Sequence, residues 1–205
     1  MKTEIKQVTS KHAQELRDLI QDMYSNLDNL EWFSPMPFDL ESVVAITENP
    51  RFFVLGYFED EKLCGVSSLD YKCGKLIGKI DFPKDCNTEK LFEIGVNIVH
   101  SSHRGKGIMK TLVSQILTKI KNDGFEWAFA KVHKDNFASE KSLTKNGFSI
   151  FANYKKPVKM AEFKMLSSQP FFSKIGKENA SKTLSKYDEN ATEITVDYHI
   201  LTKKL

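Results

Sequence analysis

Ala13, Leu16, Leu19, Ile20 and Met23 recur three and four residues apart, which puts them on one face of a helix running from Lys11 to Tyr24. The stretch "IKQV" ahead of it reads as a short strand. Leu40 to Glu48 follows as a second short helix, with Asp39 placed to cap its first turn and Pro50 just beyond its end. The period then changes. "FFVLGYF" and "KLCGVSSLDY" are strand-like runs on either side of the acidic turn "EDEK", which predicts an antiparallel hairpin, and "LFEIGVNIV" is a further strand rich in Ile and Val. Helical spacing returns at Ile108, Leu112, Val113, Ile116, Leu117 and Ile120, and Gly124 closes that helix. "FEWAFAKV" is the next strand, "NFASEKSLTKNGF" a short helix stopped by Gly147, Phe148 to Tyr154 the opening of another strand, and "TEITVDYHIL" the last one. Between these two strands lies a Lys- and Ser-rich stretch, about residues 155–190, too long for an ordinary connection. It reads as a lid or a disordered insertion.

Strands alternating with helices predict an α/β fold, a mixed central sheet of about six or seven strands flanked by helices. At 205 residues, 40% of them hydrophobic, the chain is long enough for one well-buried core. A formal net charge of +3 is far from the concentrated positive patch that non-specific nucleic-acid binding demands, so no nucleic-acid partner is expected. Cys64, Cys73 and Cys86 lack CxxC spacing and have no neighbouring His in a zinc-like pattern, so they read as free thiols in a reducing cytosol, with no metal. The charged start "MKTEIKQVTSKHAQELRDLI" lacks the apolar segment of a signal peptide, and "FFVLGYF" is far shorter than the roughly 20 residues that span a bilayer. A cytoplasmic protein with no membrane association is the expectation.

The chemistry concentrates in "HSSHRGKGIMKTL", His100 to Leu112. A glycine-rich turn entering a helix directs unpaired backbone N–H groups at one spot, where the helix dipole adds about half a positive charge. Gly105 and Gly107 permit the required backbone angles, and Arg104 and Lys106 add full charges. An anion site is one reading and a solvated basic turn the other. "RGKGIMK" matches neither the Walker A loop nor the GxGxxG dinucleotide fingerprint.

Strand "EIGVNIV", loop "HSSHRGKG", a helix, strand "EWAFAKV" and then "NFASEKSLTKNGF" together resemble the GCN5-related N-acetyltransferase (GNAT) superfamily in order and spacing. That family's loop reads Arg/Gln-x-x-Gly-x-Gly/Ala; here Arg104 and Gly107 match, and Met109 replaces the last small residue without removing an N–H donor. The resemblance is clear over Leu91 to Phe151 and weaker over the first 50 residues and the Lys/Ser-rich stretch. It implies one GNAT-like domain over residues 1–205 that transfers an acetyl group from acetyl-CoA to a primary amine of a small molecule or peptide. The pyrophosphate would rest on Arg104, Gly105, Lys106, Gly107, Ile108 and Met109, and the pantetheine arm would run along the backbone of Asn97, Ile98 and Val99. Asn136 would contact the cofactor or cap the helix that follows it. His100 and His103 flank the loop, either touching phosphate or simply exposed. A GNAT-fold module that senses acyl-CoA without turnover is the alternative. Monomer and homodimer are both open.

Amine attack on a thioester needs a neutral amine, and with a reference pKa near 10.4 only about one amine in a thousand is neutral at pH 7.4, roughly 4 kcal/mol uphill. Glu93 is the candidate base, acting directly or through water, since it lies eleven residues before Arg104, the offset of the glutamate base in the histone-modifying branch of the family. An acid in a strand of Ile and Val is unusual, and partial burial would raise its pKa; binding substrate or reaching solvent at the strand's edge is its other role. The Tyr that many family members carry four residues before the Gly-Phe pair is Leu143 here. Tyr154, Tyr71 or water would have to replace it. Residues 26–48 carry Asp28, Glu31, Asp39, Glu41 and Glu48 with no Lys or Arg, interleaved with Trp32, Phe33, Met36 and Phe38. The resemblance places this region in the wall of the acceptor groove, so Glu31, Trp32, Phe33 and Asp39 are expected to bind a cationic acceptor. The aromatics are otherwise core, and the eight Lys of residues 155–186 offer an anionic acceptor the opposite outcome.

Overall fold

The computed structural model describes residues 2–33, 35, 36, 39–71, 76 and 78–205, so Phe38 and Cys73 lie outside the described residues. Seven strands form one sheet: β1 (Thr3–Gln7), β2 (Phe52–Glu59), β3 (Lys62–Asp70), β4 (Leu91–Val99), β5 (Trp127–His133), β6 (Ser149–Lys159) and β7 (Glu193–Lys204), in the order β1-β2-β3-β4-β5-β7-β6. Each neighbouring pair is antiparallel except β4 and β5, which are parallel. The turn between β2 and β3 has Asp60 and Glu61 at φ 44° and 68°, the two positive values that a two-residue connection of matching twist requires. Asp60 offsets part of that strain by accepting a hydrogen bond from the Lys2 N–H at 2.8 Å.

The helices are α1 (Ala13–Ser25), α2 (Leu40–Glu48), α3 (Ile108–Asn122), α4 (Phe137–Thr144), α5 (Met160–Ser167) and α6 (Lys174–Leu184). Parallel strands cannot be joined by a hairpin, and α3 supplies the crossover from β4 to β5. Its apolar stripe, Ile108, Leu112, Val113, Ile116, Leu117 and Ile120, is wholly buried, as the spacing predicts. It packs in one core with β4, β5 and Leu143 of α4. A second core joins α1, α2, α5 and α6 to residues of β2, β3, β6 and β7. Cys64 is buried and Cys86 half-buried, both as free thiols. No helix among the described residues is long and apolar enough to cross a membrane.

Residues 155–190 differ from the expected lid or disordered insertion. β6 extends to Lys159, and α5 and α6 then fold against α1, burying Met160, Phe163, Leu166, Phe172 and Ala180. Hydrogen bonds fasten the segment to the end of α1: Ser173 Oγ donates to Ser25 O at 2.8 Å, and Asn179 Nδ2 donates to Leu27 O at 2.9 Å. Ser173 also caps α6, accepting from the Gly176 N–H at 3.0 Å. α5 is apolar at five of its eight positions but only about two turns long, and α6 is mostly polar, so neither leaves much periodic signal. Their docking comes from tertiary contact.

Gly176 marks the closest approach, because a Cβ there would stand 2.7 Å from the Ser25 carbonyl oxygen. Gly to Ala inside a helix ordinarily stabilises by about 1 kcal/mol. Here the clash is with backbone, so Gly176→Ala should instead destabilise by about 1–3 kcal/mol, read as a lower midpoint in denaturant. An unchanged or raised midpoint would mean that α6 does not pack on α1 in this way.

Candidate active site

Pairing between β4 and β5 runs from Leu91 opposite Trp127 to Ile94 opposite Ala130 and then stops, although β4 continues to Val99 and β5 to His133. The cause lies on the other side of β4. The β3–β4 register slips between Ser67 and Leu69, leaving Gly95 and Val96 opposite the single residue Ser68. Ser68 Oγ accepts the Val96 N–H at 2.8 Å, and a Cβ on Gly95 would stand 2.8 Å from that same oxygen. Only glycine leaves the hydroxyl its place. Such a bulge bends and twists its strand, and a wedge-shaped cleft opens between β4 and β5 where it occurs. The cleft is lined by residues 93–97 of β4 and Ala130, Lys131 and Val132 of β5, with Leu143 and Asn136 at α4, Tyr198 of β7, and Trp32, Phe33 and Met36 on the opposite wall.

Backbone groups alternate in direction along a strand. The Val96 N–H goes to Ser68 and the His100 N–H to Cys64 O at 2.9 Å, both on the β3 side. The same alternation commits Ile98 to β3, where it pairs with Val66, and turns the N–H and C=O of Asn97 and Val99 away from β3, Asn97 into the cleft and the Val99 carbonyl to Arg104 Nε, which donates to it at 3.4 Å. Of the three residues expected to offer backbone groups, Ile98 is therefore the one facing the wrong way. Its side chain is buried. The Asn97 side chain is held by β3, accepting from Ser67 Oγ at 2.6 Å.

The loop that follows is anchored from below and bare above. Asp22 of α1 accepts from Ser101 N and Ser101 Oγ, each at 2.8 Å. Gly105 and Gly107 both have φ of 80°, a conformation that side-chain-bearing residues rarely adopt, with nothing within 4 Å of where a Cβ would be. Gly107 is the N-cap of α3, so no side chain occupies the helix end, and no acid stands in its first turn. The first helical bond is Thr111 N to Gly107 O at 3.1 Å. The N–H groups ahead of it have no helical acceptor and keep their share of the dipole. Arg104 lies across the end of α1, with Nη1 3.4 Å from Asn26 O, and Lys106 is exposed. Ile108 is buried and Met109 half-buried beneath the turn. His100 sits 3.7 Å from Asp22, and His103 pairs with Glu59 at 3.0 Å.

Glu93 lines the inner end of the cleft, half-buried, opposite Asp70 on β3 and Phe129 on β5. Burial pushes its carboxyl above the ordinary range and the nearby Asp70 charge adds to the rise, while Lys131, Arg51 and Lys156 oppose it. Asn136 caps α4, its Oδ1 accepting the Ser139 N–H at 3.1 Å, and borders the cleft as well.

Trp32 and Phe33 stand at the cleft wall, but Glu31 and Asp39 do not join them. Asp39 caps α2, accepting from the Ser42 N–H at 2.8 Å at the surface. Glu31 turns inward, buried, and accepts from His133 Nε2 at 3.1 Å and Tyr187 Oη at 2.8 Å. His133 Nδ1 accepts from the Asp135 N–H, which puts the ring proton on Nε2 facing Glu31. Burial opposes the Glu31 charge, yet the bonds from His133 and Tyr187 outweigh it and hold the carboxyl below its usual range. Both acids are thus used by the fold. Sequence reasoning missed Tyr198, Lys131 and His133; alternation in "TEITVDYHIL" puts Tyr198 on the inward face with Ile194 and Val196, but nothing marks it as lining a cleft.

The model of the acetyltransferase (GNAT) family matches residues 13–148. No curated protein sequence matches the chain. Among solved structures, the fold is similar to an N-acetyltransferase from Staphylococcus aureus Mu50, with TM-score 0.66, 14% identity, and coverage of 100% of this chain and 99% of that one. It is similar to a ribosomal-protein-alanine N-acetyltransferase from Brucella melitensis, with TM-score 0.65, 18% identity, and coverage of 98% and 99%. A putative acetyltransferase from Salmonella typhimurium, solved with its cofactor acetyl-CoA, gives TM-score 0.64 at 14% identity, covering 100% and 95%. With the family model spanning most of its length, including the cleft strands and the bare N-terminus of α3, the chain belongs to the acetyltransferase (GNAT) family, whose members transfer acetyl groups.

Proposed function

We propose that the protein is an acetyl-CoA-dependent N-acetyltransferase acting on a primary amine of a small molecule or peptide. The observation that carries this reading is the junction of an uncapped helix N-terminus, at Gly107, with the open edge of β4 at Asn97 and Val99. The first suits a pyrophosphate, the second an amide-bearing arm that pairs like an added strand. Arg104 and Lys106 add charge beside the phosphate position. Acetyl-CoA held there supplies a thioester whose acyl group passes to the amine as the C–S bond breaks and a C–N bond forms. The similarity in fold to two solved proteins named as N-acetyltransferases supports nitrogen as the acceptor atom.

Glu93 takes the proton of the attacking amine, directly or through one water. Burial raises its carboxyl pKa, which makes it a stronger base than an exposed glutamate. The Asn97 N–H, turned to the cleft, is the backbone donor placed for the carbonyl oxygen as it gains charge. Leu143 fills the position of the family's usual Tyr and is buried, so the thiol leaves without that acid. With a thiol pKa of about 8.5 it departs readily as thiolate and is protonated by solvent. Trp32 and Phe33 supply an aromatic wall for the acceptor. Loss of Glu31 and Asp39 to the fold removes the carboxylates on which a preference for a cationic acceptor rested. The same Leu143 favours a second reading, a sensor that binds acyl-CoA without turnover.

Acetyl-CoA should raise the melting temperature of the protein, because it binds the folded chain alone. Gly107→Asp puts a carboxylate at the helix N-terminus, where it suits the dipole but repels phosphate, at the cost of strain at φ 80° that Asp tolerates better than most residues. The variant should stay folded and lose that rise; an undiminished rise would place the cofactor elsewhere. Glu93→Gln should keep the rise and cut turnover by about a hundredfold or more, measured with a thiol-trapping dye and a panel of amines. In the unaltered protein the acidic limb of the rate profile should lie above the reference glutamate value of about 4.3, since the base works only above its raised pKa. Normal turnover in Glu93→Gln removes the base role, and binding with no turnover of any amine by the unaltered protein favours the sensor.

A further inference from the structure

The ends of β2 and β3 and the loop ahead of α3 converge on three side chains that acetyl transfer leaves unused. Glu59 closes β2, Cys64 lies near the start of β3, and His103 ends the short turn before Arg104. A carboxylate oxygen, the thiol sulfur and an imidazole nitrogen from these residues all lie within 4.8 Å of one another. Glu59 Oε2 and His103 Nε2 are 3.0 Å apart. The other ring nitrogen of His103 is 2.8 Å from Ser102 Oγ, which fixes the ring with Nε2 towards Glu59. Cys64 is buried, and its Sγ donates to Lys62 O at 3.3 Å.

We propose that Glu59, Cys64 and His103 form a site for a divalent transition-metal ion, zinc by its ligand chemistry, which ties the anion-binding loop to the β2–β3 hairpin. Thiolate, imidazole and carboxylate are the three protein ligand types zinc takes, and three of them leave a fourth position for water. Tetrahedral ligands about 2.0–2.3 Å from zinc stand about 3.3–3.8 Å apart, so the widest gap here needs to close by only about 1 Å. As the metal–sulfur bond forms, the Cys64 S–H bond breaks and its proton goes to solvent. Thiolate and carboxylate then balance the two positive charges of the ion. The loaded site is neutral overall, and it acts by holding His103, the residue before Arg104. Linear spacing hides the cluster, because the ligands come from three elements and His103 is far from the two hairpin residues in sequence.

The test is a titration of the full chain, stripped with chelator and dialysed, with Co²⁺ and separately with Zn²⁺. One equivalent of Co²⁺ should give a near-ultraviolet thiolate-to-metal charge-transfer band with the visible bands of a tetrahedral ion, and Zn²⁺ should abolish both and raise the melting temperature. Cys64→Ser should lose the charge-transfer band while still melting cooperatively. Glu59→Gln, which keeps the hydrogen bond to His103, should weaken Zn²⁺ binding about tenfold or more. Cys86→Ser and Cys73→Ser should retain the spectrum. No charge-transfer band in the unaltered protein, or a band that survives Cys64→Ser, would overturn the proposal and leave the three residues as an ordinary hydrogen-bonded contact.

Discussion

Hydrogen bonding between β4 and β5 ends at Ile94 and Ala130 because the bulge at Gly95 and Val96 bends β4 away from its parallel neighbour. An unpaired strand edge inside a sheet is costly unless something satisfies its backbone groups. A ligand with amides of its own is the kind of molecule that can satisfy such an edge. The same bend delivers the chain from Val99 into the turn that precedes Gly107, so the open edge and the bare helix end lie in succession. Both depend on small residues. Gly95 makes room for the Ser68 hydroxyl, and Gly107 adopts a φ of 80° where a side chain would be strained.

The wall facing the cleft is held by the interior of the protein. Glu31 is buried between His133 at the end of β5 and Tyr187 after α6, so one carboxylate joins the wall, the sheet and the C-terminal helices. A buried charge of this kind is tolerated because its oxygens are hydrogen-bonded, and removing one partner costs more than the pair contributes. Tyr24, buried in α1, adds a second tie by accepting the Met36 N–H at 2.9 Å. The segment 160–187 is therefore part of what holds Trp32 and Phe33 in place. It supports that wall from behind rather than lining the cleft.

Period and punctuation made most elements legible before any coordinates. The stripe from Ile108 to Ile120, the cap at Asp39 and the strand Leu91–Val99 are strong local signals, and each appears where it is expected. The glycine turn at Gly105 and Gly107 was readable for the same reason, since glycine at a positive φ beside a helix start is a local device. What failed to show was set by packing. Glu31 and Asp39 look alike in sequence, two acids beside aromatics, yet one caps a helix at the surface and the other is drawn inward by a histidine about a hundred residues away. α5 is too short and α6 too polar to show a clear period, and docking on α1 explains both. Nor does spacing alone reveal the bulge that turns Ile98 away from the cleft.

Backbone amide hydrogen exchange, followed residue by residue with and without acetyl-CoA, tests the central claim most directly, because it reads the two sets of unpaired N–H groups themselves. The account predicts that the ligand slows exchange at Asn97 and Val99 and at residues 107–110, and leaves β1 and β2 as they were. Unchanged exchange at those positions, with protection appearing elsewhere, would contradict it.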